Sequence, residues 1–161
     1  MKSTDKFLIG IVVGIVLLVV AAFVVTLTRP EPTYQAEDTP EGVAHNYLLA
    51  LQKKDYQRAY GYLSPTLKGY PVSAERFAEN VEDRSWSFRL DTDTTLAIES
   101  ARVTGNRAVV KVRESRFRGS DLFDSSQSTT VFDMELRLED EWKIADSDYY
   151  FVWCWKRDDG C

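Results

Sequence analysis

The stretch from Phe7 to Leu27 contains no charged side chain, and only Gly10, Gly14 and Thr26 stand outside the strongly apolar and alanine set. Rising about 1.5 Å per residue, such a helix would span about 31 Å, close to the roughly 30 Å hydrocarbon core of a bilayer, so residues 7–27 are expected to cross a membrane once. A cleavable signal peptide is the competing reading. Its apolar region is usually about 7–15 residues long and ends in small residues spaced like A-x-A, of which Thr26-Leu27-Thr28 is a poor version. A lipoprotein is excluded, because the only cysteines are Cys154 and Cys161.

Lys2 and Lys6 precede the apolar run, whereas Arg29 is followed by Glu31, Glu37, Asp38 and Glu41. This bias puts residues 1–6 in the cytoplasm and the remainder outside, as a single-pass protein of the cell membrane that meets lipid through residues 7–27. Residues 28–38, with Pro30 and Pro32, read as a short, stiff linker. The chain has 20 basic and 25 acidic side chains in 161 residues. The excess of acid lies beyond the apolar run, and no second such run exists. A polytopic membrane protein and a nucleic-acid binder driven by global charge are both excluded.

Residues 39–161 are long enough for one soluble domain. Thr39-Pro40-Glu41 offers a capping hydroxyl, proline at the first helical position and an acid in the first turn, and Val43, Ala44, Tyr47, Leu48 and Leu51 follow as an apolar stripe. Asp55 caps a second, shorter helix with Tyr56, Ala59, Tyr60 and Leu63 inward, stopped by Ser64-Pro65. Ser73 opens a third through about Val81. From residue 84 the apolar period changes from 3.6 to 2. Strands are predicted over 86–90, 96–103, 108–117, 130–138 and 142–155, with a polar loop over 118–128. Phe132, Met134, Leu136 and Leu138 alternate with charged residues, so one sheet face is buried. Helices first and antiparallel strands after give an α+β fold: a transmembrane helix, then three helices packed on a curved antiparallel sheet.

The run Tyr47-x-x-Ala50-Leu51-x-x-x-Asp55-Tyr56-x-x-Ala59-Tyr60-x-x-Leu63-Ser64-Pro65, with Trp142-Lys143-Ile144 opening a late strand, resembles the nuclear transport factor two-like (cystatin-like) superfamily of α+β cones. The resemblance covers nearly all of residues 39–155. It implies the fold and says little of activity, because the superfamily holds enzymes, adaptors and scaffolds. A membrane anchor before such a domain resembles the membrane proteins associated with lipid-import (Mce) systems and the bitopic assembly subunit of type IV secretion machines. Ketosteroid isomerase-like members place a tyrosine at the position of Tyr47, to stabilise an oxyanion, and an aspartate base shortly after the second helix. Residues 64–72 hold no carboxylate, which removes that base. A dehydratase-like alternative would pair His45, the sole histidine, with Asp146 or Asp148.

With one histidine and two cysteines no metal site is expected, and no cofactor motif is present. Asp91-Thr92-Asp93 begins like a calcium loop but continues with Leu96 and Arg102 where glycine and glutamate are needed. Arg102, Arg107, Lys111, Arg113, Arg116 and Arg118 form a basic run, for which Asp133, Glu135 and Glu139 on the next strand offer a charge ladder. As a strand, Tyr149-Tyr150-Phe151-Val152-Trp153-Cys154-Trp155 would be apolar on both faces. Tyr149, Phe151, Trp153 and Trp155 therefore become candidate partner-binding residues. Asp159-Gly160 can reverse the chain and join Cys154 to Cys161 in a disulfide, which suits an oxidising compartment. The function expected is that of an anchored extracytoplasmic binding or scaffold protein without catalysis, taking a second copy, a membrane protein or a small apolar ligand. The alternative is an isomerase- or dehydratase-like enzyme using the cone.

Overall fold

A computed structural model of the chain describes residues 2–27, 32–88, 94–121, 124–158 and 160–161. It divides into two compact units, residues 1–32 and 33–161. The first holds one helix, α1 (Lys2–Leu27), whose window Phe7–Val24 is long and apolar enough to cross a membrane. The same length and composition suit a signal sequence.

The second unit is α+β. Its helices are α2 (Pro40–Gln52), α3 (Tyr56–Gly61), α4 (Ala74–Glu82) and the single turn α5 (Ser85–Phe88), followed by strands β1 (Thr94–Thr104), β2 (Arg107–Asp121), β3 (Asp124–Leu138) and β4 (Trp142–Ser147). The strands form one curved antiparallel sheet in the order β1-β2-β3-β4. Local chemistry sets the helix starts. The side chains of Thr39, Asp55 and Ser73 accept hydrogen bonds from the backbone N–H groups of Gly42, Arg58 and Arg76, satisfying donors that the first turn leaves orphaned.

Alternation along the strands fixes the faces. Ala108, Val110 and Val112 of β2, Phe132, Met134 and Leu136 of β3, and Ile144 of β4 are buried. Tyr47, Leu51 and Ala44 of α2, Ala59 of α3, and Phe77 and Val81 of α4 belong to the same core cluster. The β4 edge is closed by the segment after α3: Ser64 N–H donates to the Ile144 carbonyl at 2.8 Å, and Ile144 N–H donates to that of Tyr62 at 2.8 Å.

Four expectations fail. Residues 86–88 belong to a helical turn, not a strand; positions 89–93, which include the start of the rejected calcium loop, lie outside the described residues. Residues 118–121 and 124–128 are strand rather than loop, because polar side chains do not stop a two-stranded ladder from satisfying its backbone. Leu138 faces solvent, 41% exposed. The strand expected over 142–155 stops at Ser147; bends follow, Tyr150 adopts φ 58°, and Trp153–Lys156 forms a 3₁₀ turn. A left-handed tyrosine cannot continue a strand.

The linker reading also changes. Residues 28–31 lie outside the described residues, but from Thr33 onward the segment is fastened to the helices. The buried Asn46 amide accepts from Gln35 N–H at 2.7 Å and donates to the Gln35 carbonyl at 2.9 Å, as a strand neighbour would. The Arg58 guanidinium lies 3.6 Å from the centre of the Tyr34 ring. Glu37 accepts from Tyr62 at 2.6 Å and from Arg58 at 2.8 Å, and these bonds hold its carboxyl below the usual range. Gly42 lacks a Cβ that would run into the Ala36 carbonyl. Residues 33–39 are therefore a strap on the domain. Replacing Asn46→Ala strands two backbone groups of Gln35 and should cost about 2 kcal/mol in urea unfolding, with early protease cleavage inside the strap.

Candidate functional site

The concave face of the sheet carries a carboxylate where its apolar phase predicts a hydrophobe. Ala108, Val110, Val112 and Glu114 alternate inward along β2, and Glu114 is 1% exposed. Its Oε1 lies 2.6 Å from Arg116 Nε, two residues along the same strand and on the same face. Its Oε2 accepts a hydrogen bond from the Tyr150 hydroxyl at 3.2 Å. The Tyr150 carbonyl accepts in turn from the buried Tyr47 hydroxyl at 2.6 Å. A polar chain thus runs from helix α2 through the carboxy-terminal segment to the sheet. Leu96 and Thr130, which flank Glu114 in register on β1 and β3, are half-buried, so this is the partly open end of the concave face.

Each group in the chain is already engaged. Burial pushes the Tyr47 hydroxyl far above the usual tyrosine range, so it stays protonated with its proton directed at a backbone carbonyl. Glu114 balances the Arg116 cation, as a charge taken out of water must. Tyr150 is held at its positive φ by bonds at both ends of its side chain and backbone, an arrangement that offsets roughly 1–3 kcal/mol of backbone strain.

The deeper part of the same face is occupied by the protein itself. Trp155 is fully buried and stacks on Phe77 with ring centres 5.2 Å apart, with Phe151 edge-on at 5.0 Å and Phe88 at 6.3 Å. Its indole N–H finds no partner among the described residues. The Cys154–Cys161 disulfide, Cα atoms 5.3 Å apart, closes the segment behind it.

The residues singled out from sequence do not converge. His45 lies on another face of α2, its Nε2 3.1 Å from the Thr33 carbonyl. Asp146 pairs with Lys156, and exposed Asp148 accepts from Asp133 N–H at 3.4 Å, so neither carboxylate is bonded to His45. Of the four aromatics expected on one strand face, Trp155 and Phe151 are buried, Tyr149 is half-buried, and only Trp153, at 59%, is exposed. Of the charge ladder expected with Asp133, Glu135 and Glu139, the pair Lys111 with Asp133 at 3.4 Å is present; Arg113 pairs instead with Glu99 of β1, and Glu139 accepts from the Ser64 hydroxyl. Among the described residues no group of three His, Cys, Asp or Glu side chains could hold a metal ion. Glu114 was the residue overlooked, although an acid in the inward phase of a strand is a readable signal.

No family model and no curated protein matches the chain. Solved structures similar to it include a SEC-C motif containing protein from Rhodopseudomonas palustris, at 12% identity and TM-score 0.48 over 73% of this chain and 83% of that one. An NTF2-like protein with a cystatin-like fold from Novosphingobium aromaticivorans is 13% identical, TM-score 0.45, over 66% and 75%. A candidate dehydratase of the NTF2-like family from Streptomyces avermitilis is 15% identical, TM-score 0.42, over 65% and 88%. None of these three reaches a TM-score of 0.5, and no functional inference is drawn from them.

Glu114→Leu leaves Arg116 as an unbalanced cation and should destabilise the domain by about 3 kcal/mol. The double replacement Glu114→Leu with Arg116→Leu should cost less than the single one, which chemical denaturation of both variants will measure.

Proposed function

We propose that the chain is a membrane-tethered, extracytoplasmic binding or scaffold protein that catalyses no reaction. The observation that carries this is the state of the concave face: its base is packed with Trp155, Tyr47, Tyr150 and Phe77, and its hydroxyl and carboxylate groups are spent on internal partners. A general base must lie within reach of a substrate proton, and Glu114 is buried, with one oxygen against the Arg116 cation and the other accepting from Tyr150. Residues 7–27 serve as the anchor, with residues 1–6 inside. The partner, a second copy or another membrane protein, meets the domain through Trp153. This exposed indole has the Arg157 guanidinium 5.0 Å from its ring centre, and such a pairing is typical of binding hot spots.

One observation favours an enzyme of the isomerase or dehydratase kind. A tyrosine hydroxyl and a buried acid do meet, in Tyr150 and Glu114, at the open end of the cone. A substrate able to displace Arg116 would find them together.

Native mass spectrometry of the full chain released from lipid nanodiscs separates the two. A dimer or a stoichiometric protein complex that Trp153→Ala dissociates, at least about tenfold in affinity, is the expected result. A small-molecule adduct retained by Trp153→Ala and lost on Glu114→Gln would replace the scaffold with a ligand-turnover site.

A further inference from the structure

Three cations on the outer face of the sheet are paired with an acid. Lys111 stands opposite Asp133 and pairs with it, Arg113 pairs with Glu99, and Lys143 pairs with Glu141 at 3.1 Å. The pattern breaks at the end of the sheet beside the Gly105-Asn106 turn. There Thr104, Arg107, Arg137 and Lys143 stand abreast in register across all four strands, with no acid in the row. Lys143 turns back to Glu141 and to the Gly61 carbonyl. Arg107 and Arg137 face each other directly, both exposed, and among the described residues neither forms an ion pair.

Like charges directly opposite on neighbouring strands, with Cα atoms about 4.5–5.5 Å apart, repel and destabilise the sheet. A shortage of acid does not explain the juxtaposition, since the chain carries 25 acidic against 20 basic side chains. In the next row Glu135 faces Asp146, which is taken by Lys156, and on the other side of Arg137 the Glu139 carboxylate accepts from the Ser64 hydroxyl at 2.6 Å. Two arginines directly opposite in register can turn two planar donor forks to one ligand, and a tetrahedral anion with three free oxygens can accept from both, where a single carboxylate satisfies one.

We propose that Arg107 and Arg137 form a binding site for a phosphate-type oxyanion, separate from the concave face and from Trp153. The phosphate can belong to a lipid headgroup or to a soluble phosphoryl compound. Either would turn the repulsion of the two cations into a shared attraction.

The test uses the full chain in phosphatidylcholine nanodiscs and follows the arginine Nε–H resonances by NMR while inorganic phosphate is added, with sodium chloride at matched ionic strength as the control. The expected result is a saturable shift of the Arg107 and Arg137 signals that chloride does not reproduce, with affinity weakened about tenfold or more in Arg107→Gln and Arg137→Gln. Nanodiscs containing phosphatidylglycerol assign the source. Signals already shifted before phosphate is added identify a headgroup site, and signals unmoved until phosphate arrives identify a soluble ligand. A shift that only tracks ionic strength, or one that survives both substitutions, overturns the proposal. At low salt each substitution should hold or raise the melting temperature, since it removes a like-charge contact; a fall in both would contradict the repulsion on which the site rests.

Discussion

Trp155 is the side chain around which the second unit, residues 33–161, is assembled. An indole of this size removes roughly 150–250 Å² from water, and here it brings α4, α5 and the carboxy-terminal segment onto one aromatic stack. The backbone around it is held with equal care. Gly69 N–H donates to the Trp155 carbonyl at 3.0 Å, an approach open to Gly69 because a Cβ there would collide with the Cys154 carbonyl. The disulfide to Cys161 limits the freedom of this segment in the unfolded chain, which stabilises the closed arrangement by about 2–3 kcal/mol in the chain-entropy description. The concave face is consequently packed from its own sequence.

A second set of interactions acts on the other end of the domain. Asn46, Arg58 and Tyr62 hold residues 33–39 against α2 and α3, so α2 is capped by Thr39 and flanked by the chain that leads into it. Both chain ends of the α+β unit are thus fastened by polar bonds to buried or half-buried partners. Fastened ends reduce fraying, which is otherwise concentrated at termini. They leave Trp153 and the outer face of the sheet exposed.

Much of this fold was legible in the sequence because its signals are local. Thr39-Pro40, Asp55 and Ser73 mark helix starts by capping chemistry, and the alternation of Phe132, Met134 and Leu136 gives the inward face of β3. The carboxy-terminal segment was not legible. Its aromatics alternate as a buried strand would, but the strand already ends at Ser147, and Tyr150 then takes a left-handed backbone held by Tyr47 and Glu114 from distant parts of the chain. The extension of β2 and β3 through polar residues was missed for a related reason: ladder hydrogen bonds, which do not depend on side-chain polarity, supply it. The candidate site fared similarly. Tyr47 was identified, but its partner is a backbone carbonyl, and the acid nearest to it in the network is Glu114 rather than Asp146 or Asp148.

The claim that the cone is closed by its own carboxy-terminal segment is tested most directly by hydrogen–deuterium exchange of the full chain under native conditions. If Trp155 is a permanent part of the core, the backbone amides of Gly69 and Trp155 will exchange no faster than those of Val110 and Met134 in the central strands, through unfolding of the whole domain. Exchange of Gly69 and Trp155 through a separate, low-energy opening while the sheet stays protected would make the segment a movable lid, and would contradict the account of a filled cone.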